Sequence, residues 1–264
     1  MKQQLKKTIG SIKIGQTNLS VTSKQELLKW ATAQTTQSST STQLIFTPNP
    51  EQIVQAQRDS RFSATLQQAD HYVIDGVGLA WALSWLSAEK VERTAGVDVA
   101  EQLAKQVIVS GGFVLCLGSL LSEKEVSRMK KHLIGGCDEA TLQQVQYEVG
   151  YQNIAKPTKK EEKAVLATIN KLKPTLVLVA FGAPAQEQWL VDHRDDLTEA
   201  GVKIGMVVGG AFDYWSGAVK RAPRWLQRWG LEWLYRLFQQ PWRWRRQLRL
   251  LVFVWLVVRE KVCR

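Results

Sequence analysis

Five short runs of β-forming apolar residues, set between stretches that carry helix-start signals, constrain this chain more than any other feature. They are Leu44–Phe46, Tyr72–Ile74, Val114–Leu117, Thr175–Ala180 and Lys203–Val208. A sixth is expected near Val145–Val149, inside the otherwise polar and irregular stretch Gly135–Pro157. Parallel strands need a long crossover between them, and a helix is the usual one. Runs spaced roughly 25 to 60 residues apart with helices between them therefore read as βαβ units. The expected fold class is α/β: Rossmann-like, a mostly parallel sheet with helices on both faces, plus a basic helical C-terminal appendage.

The helix starts are legible as capping boxes, in which a side-chain oxygen takes an orphan N–H and a Glu or Gln three residues on reaches back. Ser23/Glu26, Asp98/Glu101, Ser122/Glu125 and Thr158/Glu161 fit the pattern. Asn49 before Pro50 and Gln52 adds a start with proline at the first helical position.

Charge divides the chain. The formal net charge is +11, and residues 218–264 hold twelve Lys or Arg against two Glu, so the rest is nearly neutral. We therefore expect a Rossmann-like catalytic domain over 1–217 and a basic, Trp/Arg-rich, membrane-associating appendage over 218–264. Lys220, Arg221, Arg224 and Arg228 fall at helical spacing, and Trp225, Trp229 and Trp233 repeat every four residues on an adjacent face. Pro241-Trp-Arg-Trp-Arg-Arg246 and the apolar stretch Leu248–Val258 follow. Apolar rings with guanidinium groups suit a phosphate-bearing lipid interface. Aromatics interleaved with arginine also bind single-stranded nucleic acid, but that leaves the strand-end residues without a purpose, and no nucleic-acid partner is expected. The 248–258 run falls short of the about 20 residues that span a bilayer. An exposed apolar tail leaves a homo-oligomer open beside membrane docking. Cys116, Cys137 and Cys263 form no CxxC pair, and the lysine-rich start has no apolar h-region. A cytoplasmic setting is expected.

Residue types that carry chemistry cluster just after the apolar runs: Thr47-Pro-Asn-Pro, Asp75-Gly-Val-Gly, Phe181-Gly-Ala-Pro-Ala-Gln-Glu and Gly209-Gly-Ala-Phe-Asp213. Open α/β sheets bind ligands outside the carboxyl ends of their strands, so four such ends can surround one crevice. Asp75 reads either as a general base or as a turn residue. Asn49 reads as a helix cap, at a terminus that also suits an anion. Gln186 and Glu187 read as a solvated first turn or as site residues. Gly209 and Gly210 suggest a close backbone approach, and Asp213 a ribose or base contact or a turn cap. Gly76-Val-Gly78 begins a dinucleotide fingerprint, but Trp81 stands where its third small residue belongs, which disfavours a nicotinamide cofactor. His71, His132 and His193 do not pair at ligand spacing, and no Asp-x-Asp occurs. Neither metal nor cofactor is expected, so an anionic ligand here would need arginines, backbone amides or helix N-termini.

Taken in order, these stretches resemble the WecG/TagA/CpsF glycosyltransferase family. The matching segments are Thr47-Pro-Asn-Pro-Glu, Asp75-Gly-Val-Gly, Glu92-Arg-Thr-Ala-Gly-Val-Asp98, Phe181-Gly-Ala-Pro-Ala-Gln-Glu-Gln-Trp189, Gly209-Gly-Ala-Phe-Asp-Tyr-Trp-Ser-Gly217 and the tail from Arg221 to Arg236. The likeness runs from about Gly15 to Arg246, with departures at Ile74, around Gly118, and over 135–153. It implies an inverting, metal-independent transfer of an N-acetylmannosamine-type sugar from a UDP donor. The implied acceptor is N-acetylglucosamine on undecaprenyl diphosphate, at the inner face of the cell membrane. It further implies that Asp75 is the base, with Thr47 and Asn49 beside it and Arg93 and Gln186 as donor or phosphate contacts. Gly76, Gly209 and Gly210 would contact substrate, Asp213 the uridine, and Arg221, Arg224, Arg236, Arg243 and Arg246 the diphosphate. The alternative is a non-catalytic Rossmann-like binding module with a docking tail.

Overall fold

The computed structural model describes residues 9–36, 41–135, 139–241 and 244–263. Its strands are β1 (Ile9–Ile14), β2 (Thr17–Val21), β3 (Gln43–Phe46), β4 (His71–Tyr72), β5 (Val114–Leu117), β6 (Val145–Glu148), β7 (Leu176–Val179) and β8 (Ile204–Val207). They form one sheet in the order β1-β2-β4-β3-β8-β7-β5-β6. All neighbours are parallel except the β1–β2 hairpin. The six runs read from the sequence are thus strands, with ends shifted by a residue or two.

β5, β7 and β8 are buried along their whole length, as parallel strands covered on both faces must be. Their alternating side chains feed two cores. Leu115, Leu117, Val177 and Val179 pack with α2 (Pro50–Ala56), α3 (Ser60–Leu66), α4 (Val77–Ser87), α7 (Lys159–Leu172) and α8 (Ala185–Asp192). Val114, Cys116, Leu176 and Leu178 pack with α1 (Lys24–Thr36), α5 (Gly96–Val109), α6 (Glu123–Ile134) and α10 (Ala211–Trp215). Helices therefore cover both faces. Between α8 and β8 runs the short α9 (Arg194–Glu199).

Asn49, Ser122 and Thr158 form reciprocal capping boxes, and Ser23 Oγ accepts from the Glu26 N–H at 3.3 Å. Asp98 departs from expectation. α5 starts earlier, with Ala95 at its N-cap, so Asp98 sits in the first turn and its carboxylate goes to Arg221 instead.

The tail also differs from its sequence pattern. α11 (Arg224–Arg228) is five residues long, and Lys220 and Arg221 precede it rather than sharing its face. Gly230 then interrupts the tryptophan repeat before α12 (Glu232–Gln239). At Gly230 φ is +73°, and a methyl group there would lie 2.2 Å from Val77 Cγ2. The bare Cα lets this elbow press on the start of α4, one residue past Gly76.

α13 (Trp244–Val262) returns to the sheet. Its Phe253, Leu256 and Val257 are buried in the same core as Ile12, Ile14 and Leu19 of the hairpin, each worth about 1.5–3 kcal/mol of burial. Glu260 Oε2 accepts from the Gly15 N–H at 3.1 Å, pinning the hairpin turn. The apolar stretch 248–258 is thus half committed to the core. Among the described residues no helix is long and apolar enough to cross a membrane.

Candidate active site

In the sheet, β4, β3, β8 and β7 are consecutive neighbours. Their carboxyl ends therefore bring Asp75, Thr47, Gly209 and the 181–187 turn to one edge, as the motif positions require.

Asp75 stands at the centre. Its carboxylate accepts from the backbone N–H groups of Gly96 and Gly76. A methyl group on Gly96 would lie 2.9 Å from Thr47 Cγ2 and 3.6 Å from Asp75 Oδ2. The two side chains meet over that bare Cα. Burial pushes the Asp75 carboxyl above the usual carboxylate range; Arg93 opposes this, nearby Glu232 adds to it, and the two backbone N–H groups oppose it. Thr47 Oγ1 is 3.5 Å from the Val207 carbonyl at the end of β8. Asn49 caps α2, accepting from the Gln52 N–H at 3.1 Å.

Arg93 is drawn in by the tail. Its Nη1 donates to the Gln227 carbonyl at 3.0 Å and its Nη2 to Glu232 Oε2 at 2.7 Å. Glu232 Oε1 accepts from Arg221 Nε at 3.1 Å, and Arg221 Nη1 pairs with Asp98. Burial works against the Arg221 charge, but Asp98 and Glu232 hold its pKa above the ordinary guanidinium value. Arg93, Glu232, Arg221 and Asp98 thus form one chain of alternating charge between α12, the 221 turn and α5.

At the end of β8, Gly210 admits Arg236: a methyl group there would lie 2.6 Å from Arg236 Nη2 and 3.3 Å from Asp213 Oδ2. The close approach expected at the glycine pair is made by this guanidinium. Arg236 Nη2 lies 3.9 Å from Asp213 Oδ2, and its Cζ sits 5.2 Å from the Tyr214 ring centroid. Gln186 is 2% exposed and Glu187 fully buried, so the solvated-turn reading of this pair fails. Gln186 Oε1 accepts from the Gly209 N–H at 3.2 Å, tying the buried amide to the glycine pair. Arg224 is exposed on α11. Arg243 lies outside the described residues, as does the side chain of Arg246 in the first turn of α13.

Sequence reading missed Gly96 and Glu232, and left Glu187 open between a solvated turn and the site. The two carboxylates carry no local sign of burial, since the groups covering them come from distant elements. Among the described residues no three His, Cys, Asp or Glu side chains gather as a metal ion requires.

A Rossmann-like sheet whose strand ends hold a part-buried carboxylate beside Arg93, with Arg221 and Arg236 brought near by the C-terminal segment, defines an α/β protein with a candidate active site at the carboxyl edge of its sheet. Comparison with known proteins narrows the class. The profile of the glycosyl transferase WecG/TagA/CpsF family matches residues 12–264. Two relatives carry the name N-acetylglucosaminyldiphosphoundecaprenol N-acetyl-beta-D-mannosaminyltransferase. One, from Bacillus spizizenii (strain ATCC 23059 / NRRL B-14472 / W23), is 31% identical over 224 residues, covering 82% of this chain and 79% of the relative. The other, from Bacillus subtilis (strain 168), is 30% identical over 218 residues, covering 83% and 80%. The chain belongs to the WecG/TagA/CpsF family and is a glycosyltransferase, which sets aside the non-catalytic alternative.

Proposed function

We propose that this chain transfers an N-acetylmannosamine-type sugar from UDP to N-acetylglucosamine carried on undecaprenyl diphosphate, with inversion and without a metal ion. The sugar and acceptor follow the names of the two Bacillus relatives. The observation that carries the chemistry is the part-buried carboxyl of Asp75, held by the Gly76 and Gly96 N–H groups and seated against Thr47 and Gly96 within the field of Arg93, with its pKa raised by desolvation. A general base works best when its pKa approaches the working pH.

Asp75 takes the proton from the acceptor hydroxyl while that oxygen bonds to the anomeric carbon. The carbon–oxygen bond to UDP breaks, and its electron pair leaves on the β-phosphate. One displacement inverts the centre. Thr47 and Asn49 line the reacting position, Asp213 takes the uridine, and Gly76, Gly209 and Gly210 offer backbone. Gln186 acts through Gly209. Arg236, Arg243 and Arg246 offset the charge that grows on the diphosphate, with Arg221 and Arg224 at the margin. Arg93, tied to Glu232, tunes Asp75.

The lipid-linked acceptor places the work at the inner face of the cell membrane, with the protein peripheral in the cytoplasm. In support, α13 turns a second apolar stripe outward: Leu248, Leu251, Trp255, Val258 and Val262 are all exposed. Beside it, Trp81 and Trp85 of α4 stack at 5.5 Å, and Lys261 Nζ lies 5.9 Å from the Trp85 ring centroid. Apolar rings bordered by cations suit the headgroup boundary. Self-association through the same stripe is the competing occupant, and a concentration-dependent mass in lipid-free solution would reveal it.

The test is UDP release from a panel of UDP-sugars with a short-chain lipid diphosphate N-acetylglucosamine acceptor and EDTA present. Acceptor-dependent release with UDP-N-acetylmannosamine or its uronic acid is expected. Release seen only when a divalent ion replaces EDTA rejects the metal-free mechanism. No release with any donor, from folded protein, rejects the assignment.

A further inference from the structure

Glu187, in the first turn of α8, has no role in the proposed mechanism and lies at the middle of a buried polar chain. Its Oε1 accepts from Gln52 Nε2 at 2.8 Å and from Gln186 Nε2 at 3.0 Å. Each of those amides turns its oxygen to a backbone N–H at the edge of the site. Gln52 Oε1 accepts from Asn49 N at 3.0 Å, and Gln186 Oε1 accepts from Gly209 N at 3.2 Å. The chain Asn49–Gln52–Glu187–Gln186–Gly209 therefore runs unbroken from the end of β3 to the end of β8. Gln52 is 5% exposed, so water does not substitute for these contacts.

A side-chain amide has one accepting and one donating end, and the two are nearly the same shape. Nothing but its partners decides which way it faces. One acceptor shared by two amides fixes both at once, because flipping either would set N–H against N–H at the backbone and oxygen against oxygen at Glu187.

We infer that Glu187 is a positioning residue that holds the Thr47–Asn49 end of β3 and the Gly209–Asp213 end of β8 in fixed relation, through Gln52 and Gln186. It rests on the proposed reaction only in what that relation serves: alignment of the base side of the site with the donor side. A misalignment of this kind lowers kcat more than it weakens ground-state binding.

Hydrogen exchange and kinetics test this on the full-length protein, with E187M, E187Q and Q52M. Q52M cuts the chain on the β3 side and touches nothing on β8. It is expected to speed exchange of the peptide containing Gly209 by about tenfold, the worth of one hydrogen bond. E187M is expected to do so for the peptides containing Asn49 and Gly209 together. E187Q keeps an accepting oxygen and should restore both. In turnover, E187M and Q52M should lose at least about tenfold in kcat with the donor KM within about threefold. Unchanged Gly209 exchange in Q52M overturns the inference, and so does a kcat loss that merely tracks the folded fraction. Should E187M fail to fold, Q52M and E187Q still decide. Should the wild type turn over none of the sugars, the assignment of the reaction fails while the exchange data still judge the chain.

Discussion

Arg93 Nη2 lies 2.7 Å from Glu232 Oε2, and Glu232 is the same carboxylate that raises the pKa of Asp75. A residue of α12 thereby acts on the proposed base twice: directly by its charge, and by occupying the arginine that opposes it. Replacing it with Gln removes a negative neighbour and takes from Arg93 its Glu232 counter-charge. Both changes lower the Asp75 pKa. In E232Q the acidic limb of the pH profile of kcat/KM is expected to move to lower pH. An unmoved or upward-shifted limb rejects this coupling.

Asp75→Asn should fold and lose turnover by about 10²–10⁴-fold, the usual worth of a general base. Since burial disfavours the ionised carboxylate, the variant should be at least as stable as the wild type at pH 8. Near-wild-type turnover would falsify the assignment of the base.

Gly230→Ala brings a methyl group to 2.2 Å from Val77 Cγ2 at a φ of +73°. The elbow between α11 and α12 must lift from α4, and activity should fall while the sheet keeps its circular dichroism. V77A added to G230A should recover part of the loss by opening the space, less about 1 kcal/mol for the left-handed backbone. No recovery would mean that the contact with α4 does not hold the elbow.

Burial lifts the Glu187 pKa from 4.5 to about 7, against the amides of Gln186 and Gln52 and its own N–H. A raised carboxyl pKa stabilises the fold fully below about 4.5, and that contribution is lost as pH climbs through about 7. Relative to E187Q, the wild type should therefore lose up to about 3 kcal/mol between pH 4.5 and pH 8. Urea unfolding at several pH values measures it, and a wild-type stability that rises relative to E187Q as pH climbs has the wrong sign.

The two apolar stripes of α13 should separate by substitution. Phe253→Ala, in the core, is expected to cost about 3–5 kcal/mol and spare vesicle retention of the folded fraction. L251D/W255D, on the exposed stripe, should leave the unfolding midpoint nearly unchanged and weaken retention on anionic vesicles. Equal retention by both variants would remove the stripe from the docking surface.

Legibility followed locality. Strand and helix starts were readable because their signals lie within a few residues: apolar runs such as Leu176–Val179, and caps such as Ser122 with Glu125. The convergence of Thr47, Asp75 and Gly209 was readable because parallel connection alone brings strand ends together. The β1–β2 hairpin was not, although Ile12 and Ile14 alternate with polar residues; a lone hairpin is marginal, and its cover, α13, lies more than two hundred residues away in sequence. The fourfold tryptophan spacing misled because Gly230 breaks the helix that the spacing presumes. Asp98 looked like a cap because its distance partner, Arg221, is invisible in a local window. The sequence left Gln186 and Glu187 open between solvent and site for the same reason: α2 supplies their lid.

The return of α13 to the hairpin has a practical side. The segment that carries Arg221, Glu232 and Arg236 is held at both ends, by Trp215 in one core and by Phe253 in the other. It is held like the handle of a bucket, at two fixed points rather than one. Cutting it off after Gly217 also pulls out the second point, with the side chains that seal the hairpin. The loss of activity in such a truncation would mix a missing guanidinium with an opened core, and point changes within the handle are the cleaner instrument.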